Sequence, residues 1–287
     1  EVNADGNSCT ITGMGTCTDV ELYIPEYIDG YKVTVVKSLD NENDFKFNLT
    51  YVYVPTGIVE LGNELFYGTA SLKNVSLPNS LKKIGNEVFY MSAIEKIEIP
   101  DSVEYIGDNA FAYSLIKEIK LSKSLKSISG GMFDNCDRLS NLTIPNSVEY
   151  IGNLAFSGSG IVVIYVPNSI TSMGLLPFSG CEKMTDLYFG GTITEWETLQ
   201  DDWNAVSLTF MEPCNALHGT DINVHFDSTA NTSLIATPVS RGLEYVVNDD
   251  GITCTVVGMG TCTDTELHIP DYIYGYKVTG VNIPVTE

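Results

Sequence analysis

The chain has 287 residues, of which 37 are acidic and 15 are basic, so its formal net charge at pH 7 is −22. This charge excludes partners that present a phosphate backbone or an anionic lipid surface, because both are bound through Lys and Arg. The sequence contains no apolar run of about 18 residues, and therefore no candidate for a membrane-spanning helix. Length alone permits one large domain or two small ones.

The first predicted element is a β-hairpin near the N-terminus. Cys9 and Cys17 are eight residues apart with a glycine midway, so a strand, a glycine turn and a returning strand would place them opposite one another. Cys254 and Cys262 repeat this spacing. Each pair is a candidate disulfide if the compartment is oxidising, and otherwise consists of two small buried thiols.

An internal repeat of 22 or 23 residues begins at Leu49 and fills residues 49–183 with six units. In each unit two apolar residues alternate with polar ones, as in Val75-Ser76-Leu77, and Pro usually follows at once. A glycine comes next in five of the six units. Every unit then has a Phe at the same place, and these are Phe66, Phe89, Phe111, Phe133, Phe156 and Phe178.

Each recurring residue type has a physical role. The alternation places two side chains on one face of a short strand, and Pro ends that strand because it lacks an amide donor. Glycine permits a turn, and Phe is large enough to fill the far side of the coil. One unit cannot bury its apolar face alone, whereas stacked units share a core. Units of this length are typical of leucine-rich repeats. We therefore predict a leucine-rich-repeat solenoid, with a parallel β-sheet on one face and turns and short helical segments on the opposite face.

The repeat resembles a known family. The units IPDSVEYIGDNAF at 99–111 and IPNSVEYIGNLAF at 144–156 resemble the BspA-type leucine-rich repeat, and the resemblance covers residues 49–200. In that family a Cys often follows the Phe by three residues, whereas here only Cys136 and Cys181 do so. A continuous cysteine ladder is therefore absent, and we interpret both residues as buried thiols.

The segments that flank the repeats are predicted to close the ends of the core. Residues 1–48 combine the hairpin with an irregular repeat as an N-terminal cap, and residues 184–226 form an irregular C-terminal cap. Trp196 and Trp203 are seven residues apart, and we interpret them as a lid over the core rather than as a ligand platform. A linker rich in Ser, Thr and Ala follows at 227–241.

The N-terminal cap occurs twice. Residues 1–36 recur at 246–281 without a gap, and 25 of the 36 positions are identical. We therefore interpret residues 242–287 as a second, truncated copy of the cap. A cap at this place leads us to expect that the natural protein continues into another repeat array.

Residues with catalytic or metal-binding chemistry are few. Cys214, His218 and His225 lie within twelve residues but match no structural zinc spacing, so we interpret them as residues of a surface loop. Residues 1–217 contain no histidine, which leaves a serine or cysteine triad without its base. We expect no catalytic residue, no metal site and no cofactor.

The remaining candidate site is the outward face of the predicted strands. Tyrosine suits recognition because it offers contact area and a hydroxyl at low entropic cost. The alternative is that these side chains are only solvated or contact one another across strands, with neighbouring Lys and Glu forming ion pairs. The candidate ligand-binding residues are Tyr51, Tyr53, Lys96, Glu98, Glu118, Lys120, Tyr165, Asp186 and Tyr188.

These features favour a protein that binds rather than catalyses. The BspA-type resemblance implies adhesion, since members of that family are bacterial surface proteins and some are linked to binding of host matrix proteins. We therefore expect a monomeric extracellular or cell-surface protein whose partner is an extracellular protein or glycan, without membrane insertion. Two other classes remain open, which are a carbohydrate- or cell-wall-binding accessory module of a larger secreted enzyme and a structural stalk.

Overall fold

The structure is a computed structural model. It describes residues 1–13, 17, 19–39, 48–192, 195 and 199, together with the strand segments 223–226, 244–247, 253–258, 272–273 and 276–282. The described part of the repeat array is a coil of about seven turns, and each turn contributes one strand to each of two parallel ladders.

The first ladder contains strands of three or four residues, among them those predicted from the alternating pattern of the repeats. Its strands are β2 (Glu21–Tyr23), β5 (Tyr51–Tyr53), β7 (Asn74–Ser76), β9 (Lys96–Glu98), β11 (Glu118–Lys120), β13 (Asn141–Thr143), β15 (Val163–Val166), β17 (Asp186–Phe189) and β18 (Asn223–Phe226). Paired strands are parallel, and each residue lies beside its equivalent in the next repeat, as Val52 does beside Val75. The predicted parallel solenoid is therefore confirmed.

The second ladder lies where each regular repeat has a recurring Ile, Leu or Met, which a glycine follows in five of the six repeats. Its strands are β1 (Ser8–Ile11), β4 (Tyr31–Val36), β6 (Glu60–Leu61), β8 (Lys83–Ile84), β10 (Tyr105–Ile106), β12 (Ser127–Ile128), β14 (Tyr150–Ile151) and β16 (Ser172–Met173). A further strand, β3 (Tyr27–Ile28), pairs antiparallel with β4. These strands have two residues in every regular repeat, because the turn begins at once.

The core lies between the two ladders and the turns. Within one repeat, Ile97 and Ile99 enter it from the first ladder, Ile106 from the second ladder and Phe111 from the turn, and all four are buried. The six phenylalanines that recur in the repeats stack on one another, with neighbouring ring centroids 5.2 to 5.7 Å apart. One continuous apolar column therefore runs through all six repeats.

The turns opposite the sheet differ from the expected short helical segments, because the described residues contain almost no helix. Instead, backbone N–H groups in one turn donate to carbonyls of the next turn. The amides of Glu64, Phe66 and Gly68 bond to Asn86, Val88 and Tyr90 at 2.8 to 2.9 Å. Bonds between turns satisfy the backbone that a helix would otherwise satisfy within itself. A pattern within one repeat cannot reveal such bonds.

The recurring glycine is required by close approach of the preceding turn. A Cβ at Gly107 would lie 2.5 Å from the backbone nitrogen of Asn86 and 2.2 Å from its Oδ1. That Oδ1 accepts a hydrogen bond of 3.1 Å from the amide of Asp108. The glycine and the asparagine or aspartate after it therefore act together to join successive turns.

A hairpin closes the N-terminus, but it lies earlier than the sequence suggested. Val2 and Cys9 form an antiparallel bridge, and Asp5 closes the intervening turn by accepting hydrogen bonds from the amides of Asn7 and Ser8. After β1 the chain does not return beside Cys9, because β1 pairs in parallel with β4. No disulfide joins Cys9 to Cys17 in the structure, where Cys9 is buried and Cys17 is partly buried.

The second copy of this segment has the same pairing. Its strands β19 (Glu244–Val247), β20 (Thr253–Gly258), β21 (Tyr272–Ile273) and β22 (Tyr276–Val281) form one sheet. β20 pairs in parallel with β22, and the register shifts between Cys254 and Thr255, as it does between Cys9 and Thr10 in the first copy. The duplicated sequence therefore specifies the same strand register and the same irregularity.

Several predicted features lie outside the described residues. These are Trp196, Trp203, Cys214, His218, Cys262 and the linker at 227–241. At the start of the C-terminal cap, the Glu195 carboxylate accepts hydrogen bonds from the amide and hydroxyl of Thr192. No helix in the described part of the chain has the length and apolar character needed to cross a bilayer.

Candidate binding surface

The candidate site is the outward side of the first ladder, which we call the outer face. The parallel register aligns its side chains in two columns within each of three groups of paired strands, which are β2–β5–β7, β9–β11 and β13–β15–β17. The sequence-predicted residues all lie in these columns. They form three groups, with tyrosines at each end and ion pairs in the middle.

The N-terminal group contains three tyrosines. The ring centroid of Tyr23 lies 5.8 Å from that of Tyr51 and 6.2 Å from that of Tyr53. Tyr23 is 62% exposed, and its hydroxyl donates a hydrogen bond of 3.2 Å to Glu21. The negative charge of Glu21, assisted by this hydrogen bond, raises the pKa of Tyr23. This end of the outer face therefore presents aromatic surface beside a carboxylate.

Tyr23 was not among the predicted site residues, although the sequence contains its signal. The segment Leu22-Tyr23-Ile24-Pro25 has the same arrangement as Val52-Tyr53-Val54-Pro55. β2 pairs with β5, so Tyr23 lies directly beside Tyr53. The spacing between these segments is longer than the regular repeat, which removes β2 from the 22- or 23-residue register.

The middle group consists of the two predicted cross-strand ion pairs. Lys96 lies 2.7 Å from Glu118, and Lys120 pairs with Glu98. All four side chains are more than half exposed, so each pair adds little stability. The hydrogen bond from Lys120 to Glu98 raises the pKa of the lysine. With Asn141, these residues line an open depression of about 460 Å³ on the outer face.

The C-terminal group contains a tyrosine pair and a buried carboxylate. The rings of Tyr165 and Tyr188 stack with their centroids 4.8 Å apart. Asp186 is only 4% exposed and accepts a hydrogen bond of 2.8 Å from Thr185. Burial, and secondarily the charge of Asp186, raises the pKa of Tyr165. The Tyr165 hydroxyl is buried without a hydrogen-bond partner among the described residues.

The cysteines of the array have no reactive chemistry in the folded protein. Cys136 and Cys181 are buried, and their thiols donate to the carbonyls of Phe111 and Phe156 at 3.1 and 3.0 Å. Burial raises the pKa of Cys136 to about 12, so its thiolate is absent at neutral pH. Both residues are therefore structural thiols, as the sequence indicated.

The described residues contain no group of three His, Cys, Asp or Glu side chains placed to hold a metal ion. The Asp5 carboxylate accepts hydrogen bonds from the amides of Asn7 and Ser8 and from the Ser8 hydroxyl, and these bonds lower its pKa. The outer face presents the exposed rings of Tyr23 and Tyr53 at its N-terminal end and exposed ion pairs in its middle.

A coil of 22- or 23-residue turns, each with a short parallel strand and a buried aliphatic pair, defines a leucine-rich-repeat protein. The family model described as the BspA type leucine-rich repeat region matches residues 41–162 and 104–202, in six copies. Together the two matches cover more than half of the chain. The chain therefore belongs to the BspA type leucine-rich repeat family.

Solved structures of bacterial leucine-rich repeat proteins resemble this fold. The T. pallidum leucine-rich repeat protein TpLRR is 20% identical, the match covers 72% of this chain and 92% of that chain, and the TM-score is 0.55. The pneumococcal vaccine antigen PcpA is 20% identical over 65% of this chain and 59% of its own, with a TM-score of 0.49. A leucine-rich repeat protein from Bacteroides ovatus is 19% identical over 79% and 74%, with a TM-score of 0.43. The likeness to TpLRR shows a shared fold.

A search of curated proteins gave no significant match.

Proposed function

We propose that this chain is a non-catalytic extracellular or cell-surface protein that binds an extracellular protein or glycan through its outer face. The observation that carries the proposal is the placement of tyrosines at both ends of the outer face. Tyr23, Tyr51 and Tyr53 lie at one end and Tyr165 and Tyr188 at the other, with the charged depression between them.

The physical basis is preorganisation. Each tyrosine emerges from a strand whose backbone is fixed by parallel pairing, so little backbone entropy is lost when a ligand binds. Tyrosine adds a large apolar face and a hydroxyl with only two side-chain torsions to order. Paired lysines and glutamates between the aromatic groups offer donors and acceptors to a polar ligand without a net local charge.

Family membership supports the remaining parts of the proposal. BspA type repeats are generally non-catalytic, and residues 1–217 lack a histidine that could act as a base. The extracellular location is carried over from the family, because the resemblance of this chain to it implies surface adhesion. Labelling of intact source cells with an antibody against the array tests the location, and a signal only after cell lysis would contradict it.

The binding test is a screen of the protein against a glycan array and a panel of extracellular-matrix proteins. The informative variant is the double substitution Tyr53→Ala and Tyr188→Ala, which removes one aromatic ring from each end of the outer face. Interface tyrosines often contribute more than about 1 kcal/mol each, so we expect at least about tenfold weaker binding of any ligand retained in the screen.

A matched control is available on the second ladder. Tyr105 and Tyr150 are 41% and 39% exposed, close to the 37% of Tyr53, but they lie outside the outer face. The double variant Tyr105→Ala and Tyr150→Ala should bind as the unmodified protein does. The proposed role of the outer face would be overturned if the screen retained no ligand, or if both double variants lost the same amount of binding affinity.

A further inference from the structure

A second surface with recognition chemistry lies on the turns, away from the outer face. Tyr67, Tyr90 and Tyr113 form a row across the first three regular repeats, and we call this row with its immediate neighbours the tyrosine row. The rings of Tyr67 and Tyr90 stack at 4.9 Å, and Tyr113 lies 5.4 Å from Tyr90 at an angle of 49°. The row therefore presents aromatic surface across adjacent turns.

The tyrosine row is not part of the core. Tyr113 is 45% exposed, and the neighbouring Met91 is 48% exposed. Both residues have left-handed backbone conformations, with φ of 58° and 53°, at a place that is glycine in the repeats containing Gly68, Gly158 and Gly180. A side chain in this conformation costs backbone energy that glycine avoids. The core gains nothing from these two exposed side chains, so packing does not explain them.

The charge around the tyrosine row is one-sided. Segments 62–71, 85–94 and 107–116, which hold the row, contain no Lys or Arg. Glu87 precedes Tyr90 by three residues. Asp134 lies in the turn after Tyr113, and its backbone carbonyl accepts a hydrogen bond of 2.8 Å from the amide of Tyr113. Neither carboxylate forms an ion pair with a described residue.

By contrast, the basic residues of the array are largely placed beside acids on the strands and their edges. Among the described residues seven ion pairs join Lys or Arg to Glu or Asp there, and they are Lys82–Glu104, Lys83–Glu60, Lys96–Glu118, Lys117–Glu95, Lys120–Glu98, Lys123–Asp101 and Arg138–Glu95. The tyrosine row is therefore a place where part of the net charge of −22 is uncompensated.

The carboxylates act directly on the rings. Partial burial is the main cause that raises the pKa of Tyr90, and the neighbouring Tyr67 and Tyr113 and the charges of Glu87 and Asp134 raise it further. A cation over such a ring would interact with the π face and with the carboxylate charge together. Arginine fits this combination well, because its planar guanidinium stacks on rings and bonds to carboxylates.

We propose that the tyrosine row binds a basic segment of a partner protein, with an arginine or lysine side chain over Tyr113 and with its basic residues paired with Glu87 and Asp134. The rings lie on successive turns, so an extended segment with repeated basic residues suits the row. This surface is separate from the outer face and does not depend on the function proposed for that face.

Fluorescence anisotropy with a labelled nona-arginine peptide tests the proposal. Tyr113→Leu removes the π face but keeps apolar bulk, and it should weaken binding about two- to fivefold. Tyr90→Phe and Tyr113→Phe keep the π face and should bind as the unmodified protein does. Glu87→Gln and Asp134→Asn should weaken binding, and added salt should weaken it further.

Two controls separate the row from general attraction to an acidic protein. Tyr150→Leu alters an exposed tyrosine of the second ladder, and Glu149→Gln removes an exposed charge beside it. Neither should change the affinity. Absence of binding, equal weakening by the controls, or equal affinity of the Leu and Phe variants would overturn the proposal. Binding of a neutral glycan that the tyrosine-row variants lose would also overturn the proposal, because the row would then be a carbohydrate site.

Discussion

Removal of Phe111 tests the column of stacked rings on which the array depends. Phe111 is fully buried, with ring centroids of Phe89 and Phe133 at 5.2 and 5.7 Å. Substitution by alanine leaves a cavity that the neighbouring turns cannot close, since their backbones are bonded to one another. The expected loss is about 3 to 5 kcal/mol of unfolding free energy.

A second variant isolates the contribution of stacking. Phe66 is also fully buried but lies at the N-terminal end of the column, where Phe89 is the one repeat phenylalanine that its ring stacks on. An aromatic pair contributes about 0.5 to 1.5 kcal/mol beyond area burial, so Phe66→Ala should cost less than Phe111→Ala by about this amount.

Urea denaturation followed by circular dichroism measures both losses, and Tyr150→Ala serves as an exposed control that should change the midpoint little. Repeat proteins can lose cooperativity when an interior unit is weakened, so the slope of the transition is compared as well as its midpoint. A loss below about 1 kcal/mol for Phe111→Ala would refute the buried column, because so small a loss is typical of surface substitutions.

Three further outcomes are expected. Burial raises the pKa of Cys136 from 9.0 to about 12, so the folded state favours the neutral thiol. The contribution of this thiol to the unfolding free energy is fully present below pH 9 and is lost as the pH rises towards 12. Denaturation at pH 8 and pH 10 should show a smaller decline for Cys136→Ala, and equal declines would contradict this assignment. Gly107→Ala places a Cβ 2.5 Å from a backbone nitrogen and should cost about 1 to 3 kcal/mol, whereas Gly130→Ala meets nothing closer than 3.4 Å and should cost less; thermal melts that rank them the other way would be contrary evidence. The protein should elute as a monomer in size-exclusion chromatography with light scattering, and a dimer would disprove that expectation.

Much of the fold could be predicted because each repeat residue has the same role in every turn. The 22- or 23-residue spacing sets the register of the strands, so it also predicts which outward residues meet. Lys96 beside Glu118 and Tyr165 beside Tyr188 follow from that register. The buried column of phenylalanines follows from the same regularity, since a large side chain that recurs at one position must have the same environment in every repeat.

The sequence was less informative where bonds join one turn to the next. Short helices were expected opposite the sheet, but the amide of Phe66 bonds to Val88 in the following turn, and no pattern within one repeat reveals this. The N-terminal hairpin was misplaced because a glycine between two cysteines resembles a hairpin turn, whereas parallel pairing of β1 with β4 determines the path. Tyr23 was missed because β2 lies outside the regular spacing.

Footprinting of the tyrosines tests the central claim most directly. Hydroxyl radicals modify exposed side chains, so the protein is treated with and without the ligand retained in the binding screen, and the modification of each tyrosine is quantified by mass spectrometry. The proposed function predicts protection of Tyr23, Tyr53 and Tyr188 on the outer face, with Tyr105 and Tyr150 unchanged. Protection confined to Tyr105 and Tyr150, or unchanged modification of the outer-face tyrosines, would contradict it.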